Sequence, residues 1–101
     1  MFQSDGDRRD IDVRAMLSSV GLRPTRQRIA LVSLLLGARN HRITAEILYD
    51  ETRRARCPVS RATVCNTLRK FEHAGFLRRI SIRRSKRAWF AVDYRIIDSF
   101  A

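Results

Sequence analysis

The stretch from Pro58 to Leu77 limits the possible folds more than any other part of the chain, because it predicts a capped helix with a single apolar side. Ser60 is a residue type that caps helix N-termini, and Gly75 is the type that follows helix C-termini. Between them, apolar residues recur at helical spacing: Val64, Leu68 and Phe71. This spacing places one side of the helix in a core and leaves the other side exposed.

The exposed side of this helix carries residue types that suit nucleic acid. At about 100° per residue, small, polar and cationic side chains fall opposite the apolar stripe, with Arg61 on the flank. Asn and Arg pair with base edges, and Arg also binds phosphate. A solvated helix surface often carries the same residues, so that alternative stays open. The residues predicted to read bases are Arg61, Ala62, Cys65, Asn66 and Arg69.

The charge of the chain also favours a polyanionic partner. Lys and Arg number 21 against 10 Asp and Glu, which gives a net charge of +11 at pH 7. The excess lies after residue 20, since the first 20 residues hold three Arg and four Asp. Such a positive field is typical of nucleic-acid binding. A codon bias towards arginine is the alternative for part of the excess of Arg over Lys.

Three further helices are predicted before Ser60. The first starts at Asp10 or Asp12, the second covers about residues 24–36, and the third runs from a cap at Thr44 to about residue 55. The third helix, a short link and the helix after Ser60 form a helix-turn-helix. Their inward residues are predicted to be Val13, Met16, Leu17, Val20, Ile29, Val32, Leu35, Leu36, Ala45, Leu48, Thr52 and Ala55.

A change of period after Gly75 predicts a β-hairpin. Apolar residues now alternate with polar ones, first at Ile80 and Ile82 and then over residues 88–92. The loop between the strands carries four cations: Arg83, Arg84, Lys86 and Arg87. We favour contacts with phosphates or insertion into the minor groove as their role. The alternative is that these like charges keep a sheet edge from pairing with another chain. Phosphate contacts are also predicted near the start of the second helix, from Arg23, Thr25 and Arg26.

Together these elements predict a mainly α fold with a small β-hairpin, a winged helix-turn-helix of three to four helices and a two-stranded wing. We expect residues 1–9 to be a disordered leader, residues 10–93 the domain and residues 94–101 a C-terminal tail.

The chain has no apolar run of membrane-span length and no signal peptide, which predicts a cytoplasmic, nucleoid-associated protein. It also has no recognisable set of nucleophile, base and orienting acid, so an enzyme is not expected.

Several of these segments resemble the DNA-binding domain of the ferric uptake regulator family. The resemblance rests on spaced motifs at residues 21–28 (GLRPTRQR), 41–49 (HRITAEILY), 61–64 (RATV), 66–68 (NTL) and 71–75 (FEHAG). The NTL variant and the Ser85-Lys86 turn look most similar to the iron response regulator branch. The resemblance implies a bacterial transcription regulator, typically a repressor, that acts as a dimer on an AT-rich palindromic operator.

The chain departs from the family pattern in four places, one of which is that no carboxylate appears near the end of the second wing strand before Asp93. Residues after the wing are too few for the dimerisation and metal-sensing domain, so we expect that domain to be absent and the chain to be a monomer. Arg42 stands where many members have a metal-binding histidine, and Cys65 stands where the family has a tyrosine that contacts thymine. The departures imply a constitutive or accessory DNA-binding module, able to pair with a full-length relative.

Cofactors are not expected, with one alternative at Cys57-Pro58. Cys-Pro pairs ligate haem in some regulators, and the iron response branch implies haem sensing, but an apolar residue before a helix-ending proline explains the pair as well. Both Cys57 and Cys65 should be reduced thiols. His41 and His73 are interpreted as surface or capping groups.

Two alternatives to a DNA regulator remain from the sequence. One is an RNA-binding winged helix, which would need exposed aromatic platforms such as Tyr49 and Trp89. The other is a protein-interaction module that modulates a full-length family member.

Overall fold

The computed structural model describes residues 11–37 and 42–100, which fold into helices and one β-hairpin. The predicted fold class is confirmed. The leader predicted over residues 1–9 lies outside the described residues. In chain order the elements are α1 (Val13–Ser19), α2 (Arg26–Gly37), α3 (Ala45–Arg54), α4 (Arg61–His73), β1 (Leu77–Ile80), β2 (Trp89–Val92), α5 (Tyr94–Ile97) and a 3-10 turn (Asp98–Phe100).

Each of the first four helices begins at a side chain that caps it. The cap oxygen accepts a hydrogen bond from the backbone N–H three residues later, at 3.0–3.2 Å. Such a cap contributes about 1 kcal/mol to helix stability. The four caps, three of which were predicted as such, are Asp12, Thr25, Thr44 and Ser60.

Three helices end in the same motif, in which a residue in the left-handed conformation follows the C-cap. After α1 and α4 this residue is Gly21 (φ 77°) and Gly75 (φ 85°), whereas after α3 it is Arg56 (φ 60°). The N–H groups of Arg56 and of the next residue donate to the carbonyls of Arg53 and Thr52, both at 3.0 Å. A left-handed residue other than glycine costs about 1–2 kcal/mol, so α3 ends less favourably than the other two helices.

The core takes one side of each long helix and one side of the hairpin. Leu31 was not selected by periodicity, yet it is fully buried, because α2 packs against α1, α3 and α4 and therefore buries a broad face. Ala55, predicted to point inward, is exposed, because it is the C-cap where the chain turns away. Val13, Val20, Ile29, Leu36 and Ala45 are only partly buried. The buried apolar residues are Met16, Leu17, Leu22, Leu31, Val32, Leu35, Ile43, Leu48, Val59, Val64, Leu68, Phe71, Phe76, Leu77, Phe90 and Ile97.

The hairpin is antiparallel and starts with Leu77 opposite Val92. Its strands are shorter than the alternation predicts. Ile82 lies beyond β1, because its carbonyl closes the tip of the hairpin by accepting the N–H of Ser85 at 3.0 Å. The predicted wing therefore has a long tip and a short sheet.

Residues 94–100, predicted as a tail, are helical and pack on the domain. Ile97 is fully buried, and the ring of Phe100 meets that of Phe76 edge-on at 5.5 Å between centroids. The carbonyl of Phe100 also accepts the N–H of Asp12 at 2.9 Å. The predicted boundary at residue 93 is therefore not a structural boundary, since the end of the described chain joins its beginning.

Candidate nucleic-acid interface

The outward side of α4 is available to a ligand because the inward side is fixed in the core. Asn66 is half-buried at the edge of this surface. Thr67, which the apolar pattern did not select, is fully buried, and its hydroxyl donates to the carbonyl of Thr63 at 2.8 Å. Its spacing of three from Val64 and four from Phe71 is the signal that was missed. The exposed residues of this side are Ala62, Cys65, Arg69 and His73.

Arg61 differs from the other predicted base-reading residues because α3 holds its side chain. Its Nη1 donates to Glu46 Oε2 at 2.9 Å, and its guanidinium lies 4.3 Å from the ring centroid of Tyr49. The hydrogen bond to Glu46 raises the pKa of Arg61. Both charged side chains remain more than half exposed, at 60% and 52%. Arg61 is therefore oriented by its neighbours while most of its donors stay open to solvent.

The residues predicted to contact phosphate near α2 lie at its N-terminus. Arg23 and Arg26 are exposed, and Thr25 uses its hydroxyl oxygen to accept the N–H of Arg28 at 3.2 Å. Arg28 in turn donates from Nη1 to the carbonyl of Arg23 at 3.2 Å. The structure thus gives Thr25 a capping role and leaves two cations beside it.

The tip of the wing is organised by Ser85. Its hydroxyl oxygen accepts Nε1–H of Trp89 at 2.9 Å and the N–H of Arg87 at 3.2 Å. Arg84 sits in the turn with φ 68°, in the left-handed region. Within residues 11–37 and 42–100, no ion pair neutralises the exposed cations of this tip, which are Arg83, Arg84, Lys86 and Arg87.

A groove of about 490 Å³ separates α4 from the hairpin. Its third side is the start of α3, which is tied to the hairpin because Ile43 and Phe90 exchange backbone hydrogen bonds at 2.9 and 2.8 Å. Cations stand on both walls, Arg69 on α4 and Arg87 on the hairpin. Of the other residues predicted to contact DNA, only Cys65 lines it. Other lining residues include Glu46, Cys65 and His73.

A clamp of two hydrogen bonds joins α4 to β1, the first strand of the wing. Glu72 accepts two hydrogen bonds from Arg79, both at 2.9 Å, and the Arg79 guanidinium lies 5.2 Å from the ring centroid of Phe90. These hydrogen bonds lower the pKa of Glu72. The sequence analysis selected neither residue for this role. The available signal was a pair of opposite charges on either side of Gly75.

Comparison with known proteins assigns the domain to a family. The model of the Ferric uptake regulator family matches residues 19–97, which is most of the chain. The chain belongs to the ferric uptake regulator family. No curated protein sequence matches it significantly.

Solved structures of ferric uptake regulators share the fold of this family member. The ferric uptake regulator of Pseudomonas aeruginosa, solved with manganese, matches with a TM-score of 0.70 and 28% identity over 81% of this chain and 60% of that chain. The Vibrio cholerae ferric uptake regulator matches with a TM-score of 0.68 and 26% identity, over 81% of this chain and 62% of that one. The peroxide sensor PerR of Streptococcus pyogenes shares the fold at 22% identity and a TM-score of 0.65, over 80% of this chain and 54% of its own. The chain thus spans about 60% of the length of the first two structures.

This ferric uptake regulator domain offers little to a metal in its described part. Among residues 11–37 and 42–100, no group of three or more His, Cys, Asp or Glu side chains is arranged to hold an ion. His41 lies outside the described residues. Cys57 is half-buried and its N–H helps to end α3, so the helix-end interpretation explains it and nothing here supports haem.

No described helix has both the length and the apolar composition needed to cross a bilayer.

Proposed function

We propose that this domain binds duplex DNA and serves as the DNA-reading part of a transcription regulator of the ferric uptake regulator type. The observation that carries the proposal is the groove between α4 and the hairpin, which Arg69 of α4 and Arg87 of the wing line from opposite sides. A major groove admits an α-helix, and cations beside it meet the phosphate backbone. This is a binding function and not a catalytic one.

Base contacts are proposed for the outward residues of α4. Arg69 and Asn66 are the residue types that pair with guanine and adenine edges, and both lie on or at the edge of the exposed side. Ala62 and Cys65 are small, so they allow α4 to approach the bases closely. Arg61 completes the set from the first turn. The wing, with Arg23, Thr25 and Arg26, is proposed to bind phosphates.

Family membership supports an AT-rich palindrome as the target. Membership of the iron response branch stays a prediction. A palindrome presents two half-sites related by two-fold symmetry, and each reading helix occupies one half-site. We therefore propose that one copy of this domain reads one half-site. In isolation the domain is predicted to be a monomer.

The aromatic residues weaken the RNA-binding alternative. Tyr49 has Arg61 over its ring, and Trp89 donates its indole N–H to Ser85. Both side chains are half-buried. Arg61 therefore occupies a ring face of Tyr49 on which an unpaired base would stack, and the hydrogen bond of Trp89 fixes its ring at the hairpin tip.

The proposal is tested by removing the wing cations and measuring duplex binding across salt concentrations. The triple variant Arg84→Ala, Lys86→Ala, Arg87→Ala should bind every duplex more weakly, with a salt slope flatter by about 0.9 for each lost phosphate contact. The matched control is a triple alanine variant of three exposed arginines at the end of α3: Arg53, Arg54 and Arg56. Equal losses in the two triple variants would mean that net charge, and not the wing, determines binding.

A further inference from the structure

Glu46 is the one carboxylate that contacts a predicted base-reading residue, within the part of the chain that the structure describes. It lies in the first turn of α3, lines the groove and accepts a hydrogen bond from Arg61 at 2.9 Å. A carboxylate beside a phosphate path opposes binding by like-charge repulsion. Its presence there calls for a reason beyond helix stability, to which an acidic residue at a helix N-terminus contributes only modestly.

The geometry of Arg61 supplies that reason. A guanidinium has five N–H donors, and Glu46 engages Nη1. The guanidinium also lies over the ring of Tyr49, 4.3 Å from its centroid, which gives it a second contact on α3. The remaining donors therefore point in a set direction before DNA arrives, and a released arginine would instead follow any nearby phosphate.

We propose that Glu46 is a specificity-determining residue of the DNA interface, because it holds Arg61 on Tyr49. A held Arg61 lowers the affinity for DNA in general and preserves the affinity for the correct half-site. The inference rests on the proposed function. Glu46 acts through Arg61 and is a positioning residue. Its role predicts that discrimination between sequences and general affinity move in opposite directions when the carboxylate is neutralised.

The test compares Glu46→Gln with the unchanged protein on an AT-rich palindrome and on a scrambled duplex. Glu46→Gln should strengthen binding to the scramble about 2–5-fold, the range expected when an exposed ion pair no longer competes. The salt slope on the scramble should steepen by about 0.9, because Arg61 becomes one more phosphate contact. Binding to the palindrome should stay unchanged or weaken, so the ratio of the two affinities falls.

Two further variants separate this role from simple charge removal. Glu51→Gln is the matched control, because Glu51 also lies on α3 and pairs with an arginine, Arg54, at 3.0 Å, but does not line the groove. Glu51→Gln should leave the ratio of affinities and the slope unchanged. In an Arg61→Ala background, Glu46→Gln should no longer change the slope.

The outcomes distinguish the inference from the proposed function. The role of Glu46 is overturned, and DNA binding stands, in either of two cases. In the first, Glu46→Gln binds duplexes with the affinity ratio and salt slope of the unchanged protein. In the second, Glu51→Gln changes the ratio and the slope as Glu46→Gln does. An effect of Glu46→Gln that persists in the Arg61→Ala background would also overturn it. If the unchanged protein binds neither duplex, the proposed function fails and takes the inference with it.

Discussion

Arg84 occupies a backbone conformation that glycine adopts more readily, and its replacement should separate stability from DNA binding. Its φ is 68°, and its turn is closed by the backbone N–H of Ser85, which donates to the carbonyl of Ile82 at 3.0 Å. Replacing a left-handed residue by glycine removes a conformational cost of about 1–2 kcal/mol from the folded state. Glycine loses more chain entropy on folding, by roughly 0.5–1 kcal/mol. The net expectation for Arg84→Gly is a gain in unfolding free energy of about 0.5–1 kcal/mol.

Arg56→Gly is the matched control, because Arg56 has φ 60° and the same charge but lies at the end of α3. Thermal unfolding should show a rise in Tm of about 2–8 °C for each variant. Duplex titration should show weaker binding and a salt slope flatter by about 0.9 for Arg84→Gly alone. Retained affinity and slope in Arg84→Gly would refute a role for this cation, and an unchanged Tm in both variants would refute the strain.

Three further predictions concern α4. Cys65→Tyr should strengthen binding to the palindrome and leave the scramble unchanged, because the tyrosine ring would contact a thymine methyl group; equal titrations of both duplexes would contradict this. The pKa of Glu72 is lowered in the folded chain, so its contribution to stability is present above the ordinary pKa of the unfolded chain and is lost as the pH falls through the folded value. Glu72→Gln should remove that part of the acid sensitivity in melts at several pH values, and an unchanged pH dependence would contradict the clamp with Arg79. Ser60→Ala should lower the unfolding free energy by about 1 kcal/mol in urea, and a smaller loss would mean that the cap at α4 is dispensable.

Much of the fold could be predicted because it depends on local signals. The caps at Thr44 and Ser60 and the stop at Gly75 are short-range rules, and each appears in the structure as expected. Residues 94–100 were misjudged because no local pattern indicates that Phe100 contacts Phe76 and Asp12, or that Ile97 is buried. Their burial depends on contacts that span most of the chain.

The candidate site was predictable in its outline but not in its pairings. Periodicity put Cys65 and Arg69 on the exposed side of α4, where the structure places them. Nothing in the sequence indicates that Arg61 reaches Glu46, 15 residues earlier, because that contact depends on how α3 crosses α4. Sequence patterns give the face of each helix, and packing decides which side chains meet across two helices.

Titration of the unchanged protein with an AT-rich palindrome and with a scrambled duplex of the same composition, repeated over a range of salt concentrations, tests the central claim most directly. The account predicts binding to both duplexes with steep salt dependence, and tighter binding to the palindrome at every salt concentration. Equal affinities for the two duplexes would leave only a charged surface and no base reading by α4. Absence of binding at low salt would contradict DNA binding itself and would favour the protein-interaction alternative.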